Sequence, residues 1–266
     1  MKIKKYWIVT KNTWAEVFSY RLNFVMWRIR VLLQLLTLFF LWNAIIPQTG
    51  QFLGYNQSEM LTYIIGTSLI GAMVIASRSY GVADDINQGE LSNYLTKPIN
   101  YFAYWFAKDL GDKAMNIVFS ACEITILYLI IKPQLFIQND LSYIFLAAIA
   151  IICALLMYFF LNFLLGMIGF WTSETWAPRF LFVIVLNFAS GGLFPLDILP
   201  KTIFSVLQFL PFTYLLFFPI KVYLGKISTQ EIIFGLIIST IWTIIFYFLL
   251  KFSWAKGLKV YTAQGR

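Results

Sequence analysis

The run Tyr143–Ile168 contains no charged side chain at all. A helix rises 1.5 Å per residue, so about 20 mostly apolar residues carry it across a hydrocarbon core of about 30 Å. Five further runs are long and mostly apolar, at residues 29–46, 60–76, 115–131, 178–194 and 232–250. The chain is therefore expected to be an all-α membrane protein with six transmembrane helices.

Composition agrees. Hydrophobic residues make up 60% of the 266 and charged residues only 12%, where a soluble domain needs about 25% charged residues to coat its surface. The formal net charge of +8 would suggest nucleic acid in a soluble protein. Here Lys and Arg sit between the apolar runs and read as topology signals, so no nucleic-acid partner is expected. Seven lie at or before Arg30, four between Arg78 and Lys113, Arg179 follows the fourth run, and four lie from Lys251 onward. The alternate loops hold only Lys132, Lys201, Lys221 and Lys226. Both termini are then expected in the cytoplasm.

Residues 1–24 do not make a signal peptide, because Thr10, Lys11 and Asn12 interrupt the apolar stretch. Read as a helix, they place Ile3, Trp7, Trp14, Val17 and Phe18 on one side, with Lys4, Lys5, Lys11, Asn12 and Glu16 away from it. That pattern suits an amphipathic helix lying in the cytoplasmic headgroup region. Arg28 and Arg30 at the entrance to the first span can snorkel to phosphate. Residues 195–226 are apolar but cut by Pro195, Pro200, Pro211 and Pro219. The pieces between prolines reach about half the distance a crossing needs. This region reads as two short half-helices that dip into the outer leaflet and return, an extracellular re-entrant element.

The usual intramembrane chemistries lack their residues. The chain has no histidine, so His-ligated zinc and haem are excluded and no metal site is expected. No GxSxG elbow and no phosphate-binding loop occur, so the chain is not expected to be an enzyme or to hold a nucleotide. Cys122 and Cys153 read as buried thiols. Glu123 alone is acidic within an apolar run. It could carry a proton or cation in a secondary transporter, or bond across helices. The structural role is favoured, and no internal repeat supports the carrier.

Residues 84–98, "DDINQGELSNYLTKP", break the apolar pattern. Asp84 or Asp85 can cap a helix, and Gln88 stands at the capping-box spacing from Asp85. Leu91, Tyr94 and Leu95 form a small apolar patch, Lys97 suits a last turn and Pro98 stops it. Gly89 marks a bend. The patch suits a groove on another protein or an amphipathic connector resting on lipid.

This segment resembles the cytoplasmic loop of ABC-2 type permeases, the membrane subunits of one class of ATP-binding-cassette exporters. Asp85, Gly89, Leu91, Tyr94, Leu95 and Pro98 match its loose pattern in order, with Ile86 where an arginine is frequent. "RLNFVMWRIR" and "GLKVYTAQGR" are similar to a bacterial subgroup encoded with one ATPase and often with a second, related permease. The resemblance implies a multi-pass protein of the bacterial plasma membrane. It also implies two permease subunits, identical or related, over two ATPase subunits that bind ATP and Mg. Residues 84–98 would be the coupling helix, with Asp85, Gln88, Gly89, Glu90, Leu91, Tyr94, Leu95, Lys97 and Pro98 docking to the ATPase. The second and fifth spans would line a path for an amphipathic or hydrophobic substrate (drug, lipid or lipopeptide), with Thr67, Ser68, Asn187 and Ser190 as candidates. The rival reading is a cation-coupled carrier using Glu123.

Overall fold

The computed structural model describes residues 2–47 and 50–262. Arg266 of the basic tail lies outside them, as do the side chains of Lys2 and Ile3. The described residues are all-helical, with one isolated bridge between Phe52 and Tyr55.

Helix α1 (Lys2–Ser19) runs along the helix α6 introduced below, and ends sooner than residue 24, at the non-helical Tyr20. Its packed side buries Thr13 and Val17 and is tied to α6 by hydrogen bonds. Trp14 Nε1 donates to the Gly111 carbonyl at 2.8 Å, and Thr10 Oγ1 donates to the Ala107 carbonyl at 3.0 Å. Trp7 and Phe18 remain exposed. The aromatic side anticipated from periodicity is thus split between protein and surroundings.

Helix α2 (Arg21–Ile45) buries one stripe, Arg28, Leu35, Phe39 and Trp42, and leaves Leu33, Phe40 and Leu41 exposed. Helix α3 (Gln57–Val74) begins with a reciprocal cap: Asn56 Oδ1 accepts from the Glu59 N–H at 2.8 Å, and Glu59 Oε2 accepts from the Asn56 N–H at 2.9 Å. The six consecutive residues Met60–Ile65 are all buried, so the first half of α3 is enclosed on every side. The segment from Ser79 to Asn87 follows at a 41° bend.

The polar segment forms two short helices, α4 (Val82–Asn87) and α5 (Leu91–Leu95), rather than one helix over 84–98. Helix α6 (Tyr101–Ile131) comes next, capped by Asn100 Oδ1 on the Ala103 N–H at 2.9 Å. With 31 residues, α6 is about 46 Å long and overreaches the hydrocarbon core. Helix α7 (Leu141–Gly166) continues through a 3₁₀ turn to Phe170, and helix α8 (Trp176–Ala189) follows. At 14 residues, α8 is about 21 Å long. It stops short of the boundary expected at residue 194.

Between α8 and the last helix lie α9 (Lys201–Leu207) and α10 (Phe217–Tyr223), each of seven residues and flanked by 3₁₀ turns at Leu196–Ile198 and Pro211–Tyr214. Neither can cross a bilayer. Helix α10 is almost wholly buried against α3 and α7. The two ends of the region meet at an ion pair of Asp197 with Lys221, so the chain leaves where it entered. Helix α11 (Thr229–Val260) starts with a second reciprocal cap, Ser228 with Glu231, and packs along α7.

By length and composition, α2, α6, α7 with its 3₁₀ turn, and α11 suffice to cross a membrane, and the bent α3–α4 pair makes a fifth. Cys122 is exposed on α6 and Cys153 half-buried on α7, against the expectation of two buried thiols. The main core gathers α2, α3, α7, α10 and α11, and a second, smaller core forms under α4 and α5.

Candidate functional site

Two features have the makings of a site. The first is the platform built by α4, α5 and the turn between them. Its N-cap is Gly81 rather than Asp84 or Asp85, and Gln88 closes the helix instead of boxing its start, donating its N–H to the Asp84 carbonyl at 2.9 Å. Gly89 has φ +77°. A side chain disfavours that left-handed backbone, so glycine is what lets the chain turn between the two helices. Tyr261 locks the turn: its hydroxyl donates to the Gly89 carbonyl at 2.8 Å and accepts the Ser92 N–H at 3.1 Å.

Leu91 lies inside this chain's own second core with Val82, Ile86, Phe163 and Phe170, fully buried. It cannot be part of a docking face in this conformation. Tyr94 is half-buried between the Tyr101 and Tyr104 rings, with centroids at 5.3 and 5.0 Å. Asp85 Oδ2 accepts the Tyr101 hydroxyl at 2.7 Å. The exposed residues are Asp84, Gln88, Glu90, Asn93, Leu95, Thr96, Lys97 and Pro98. The sequence pattern identified the segment correctly as surface but misassigned Leu91. Its partners Phe163 and Phe170 lie far along the chain, beyond the reach of local periodicity.

A polar chain runs from the bundle toward this platform. Arg28 Nε donates to Glu123 Oε1 at 2.8 Å, and Nη2 pairs with Oε2. Nη2 also donates to Ser120 at 3.1 Å, and Nη1 to Asn116 at 3.3 Å. Asn116 donates to the Asp112 carbonyl at 2.9 Å, and Asp112 accepts Arg78 Nε at 2.8 Å. Arg78 also reaches Glu16 of α1 at 3.2 Å. Arg28 is thus a buried partner of Glu123 and does not snorkel.

The second feature is a partly open cavity of about 600 Å³ bordered by α2, α3, α7 and α8. Thr67, Ser68 and Asn187 line it. Ser190 does not. It is fully buried beneath α10, its hydroxyl has no partner among the described residues, and its carbonyl accepts the Phe217 N–H at 2.9 Å. Leu35, Leu38, Phe182 and Leu186 give the cavity an apolar stretch, and Arg30, Arg78 and Arg179 also line it, Arg78 reaching Glu16 of α1. The arginines were legible only as topology signals, since their convergence depends on how α2, α3 and α8 meet.

Comparison with known families places residues 32–265 under the model described as ABC-2 family transporter protein. No curated protein matches the chain.

Proposed function

The chain belongs to the ABC-2 family of transporter proteins, and on that premise we propose that it is the permease subunit of an ATP-driven exporter. It crosses the bacterial plasma membrane six times, with both termini in the cytoplasm and residues 195–226 as a re-entrant element on the outer side. A separate ATP-binding-cassette subunit, present in two copies, binds ATP and Mg and docks on the exposed face of residues 88–98. A second permease, identical or related, completes the path. The substrate is an amphipathic or hydrophobic molecule that passes along the cavity between α2, α3 and α8.

The observation that carries this reading is the family match over nearly the whole chain. The geometry of the platform supports it. Leu91 and Ile86 anchor it to the bundle, Glu90, Leu95 and Lys97 face outward, and the Glu16–Arg78–Asp112 pairs tie α1 and α6 together beside it. A push on this surface would be carried into α3 and α6 rather than absorbed by a loose loop. The cation-coupled carrier has no such support, because Arg28 already holds the Glu123 carboxylate. Co-purification of the chain with its cognate ATPase, followed by ATP hydrolysis with and without amphiphiles, tests the proposal. A complex whose hydrolysis rises with an amphiphile supports it. A chain that transports without any ATPase contradicts it.

A further inference from the structure

The charges around the cavity are unevenly matched. Four arginines line it, Arg28, Arg30, Arg78 and Arg179, against two acids, Glu16 and Asp112. Both acids are engaged by Arg78, and Arg28 is matched by Glu123. Arg30 and Arg179 make no ion pair among the described residues. Each instead lies over an aromatic ring: Arg179 Cζ is 3.6 Å from the Tyr80 ring centroid, and Arg30 Cζ is 4.7 Å from that of Trp27. Stacking on a ring orients a guanidinium without neutralising it, and leaves its N–H edge free for an anion. The two cations come from different helices, α2 and α8, both line the cavity, and each precedes the apolar cavity residues of its own helix by about two turns, Arg30 before Leu38 and Arg179 before Leu186. Beyond them the lining turns apolar at Leu38, Phe182 and Leu186.

We propose that Arg179 and Arg30 form the headgroup site for an anionic amphiphile, with the tail lying along the apolar stretch of the cavity. The inference rests on the reading of this cavity as the substrate path and adds the charge of the cargo. A phosphate or carboxylate head fits the two guanidinium edges, where a neutral head gains nothing from them. A cationic amphiphile is disfavoured by like charge.

The test uses the full chain in phosphatidylcholine nanodiscs and two probes of equal tail length, pyrene-labelled dodecyl phosphate and the same tail on a neutral glycerol head. The phosphate is expected to bind at least about tenfold more tightly, the scale of one charge-assisted hydrogen bond. Arg179→Gln and, separately, Arg30→Gln should each remove most of that preference and leave the neutral probe unchanged, with Arg179→Lys retaining part of it. Competition by phosphatidylglycerol supports the site with a membrane lipid as its source. Absence of that competition, with the phosphate preference intact, supports the site with an exported amphiphile as its source. Equal binding of both probes, or full phosphate preference in both Gln variants, overturns the proposal but leaves the amphiphile path standing. Failure of both probes to bind overturns the two together.

Discussion

Arg28 on α2 and Glu123 on α6, 95 residues apart in the chain, meet inside the helical bundle in a two-pronged ion pair. Their side chains are only 8% and 17% exposed, so neither charge has ready access to water. Removing one member strands the other, which costs about 3–5 kcal/mol, whereas replacing both with apolar residues of similar size is close to neutral. Glu123→Gln should lower the unfolding temperature of the purified protein markedly, and Arg28→Leu with Glu123→Leu should recover most of the loss. A Glu123→Gln protein as stable as the parent contradicts a structural role for the pair.

At Gly89 the backbone sits at φ +77°, a conformation costing any side chain about 1–2 kcal/mol. Gly89→Ala should destabilise the platform by that amount, read as faster amide exchange in residues 88–95 with little change in α7 or α11. Gly89→Asn should cost less, because asparagine tolerates the left-handed region.

The proline-broken element at residues 195–226 is held by Asp197, Lys221 and Tyr55. The Tyr55 hydroxyl donates to Asp197 at 2.9 Å and accepts Lys221 Nζ at 3.0 Å. Lys221→Met leaves Asp197 without its cation and should cost about 1–3 kcal/mol, less than for a deeply buried pair because Asp197 is 23% exposed. Proteolysis within residues 195–226 should accelerate in that variant. The double change Asp197→Asn with Lys221→Met should restore part of the protection, since asparagine still accepts from Tyr55.

How far the fold was legible depended on the range of the signal. Apolar length is a local property, and each of the six expected runs falls on a helix, though α8 ends at Ala189 and α3 crosses only together with its bent continuation. Proline spacing likewise gave the short helices α9 and α10. Properties set by distant partners were hidden. Arg28 read as a residue at the membrane entrance because nothing near it in sequence announces Glu123. Leu91 looks outward by local periodicity because the residues that bury it, Phe163 and Phe170, and Tyr261, which holds the turn at Gly89, lie far along the chain. Thr67, Ser68 and Asn187 line the cavity, and its arginines stand on separate segments of the chain, so that no local pattern links them.

The central claim is that an ATPase drives this permease through the exposed edge of residues 88–98. The most direct measurement pairs the chain with its cognate ATPase and compares the parent with Leu95→Asp plus Lys97→Glu, two positions that face outward and support no core. The account expects ATPase retention on the tagged permease and ATP-driven extrusion to fall at least about tenfold, an interface loss of 1.4 kcal/mol or more, with expression and unfolding temperature unchanged. Full retention and full extrusion in that variant would contradict it.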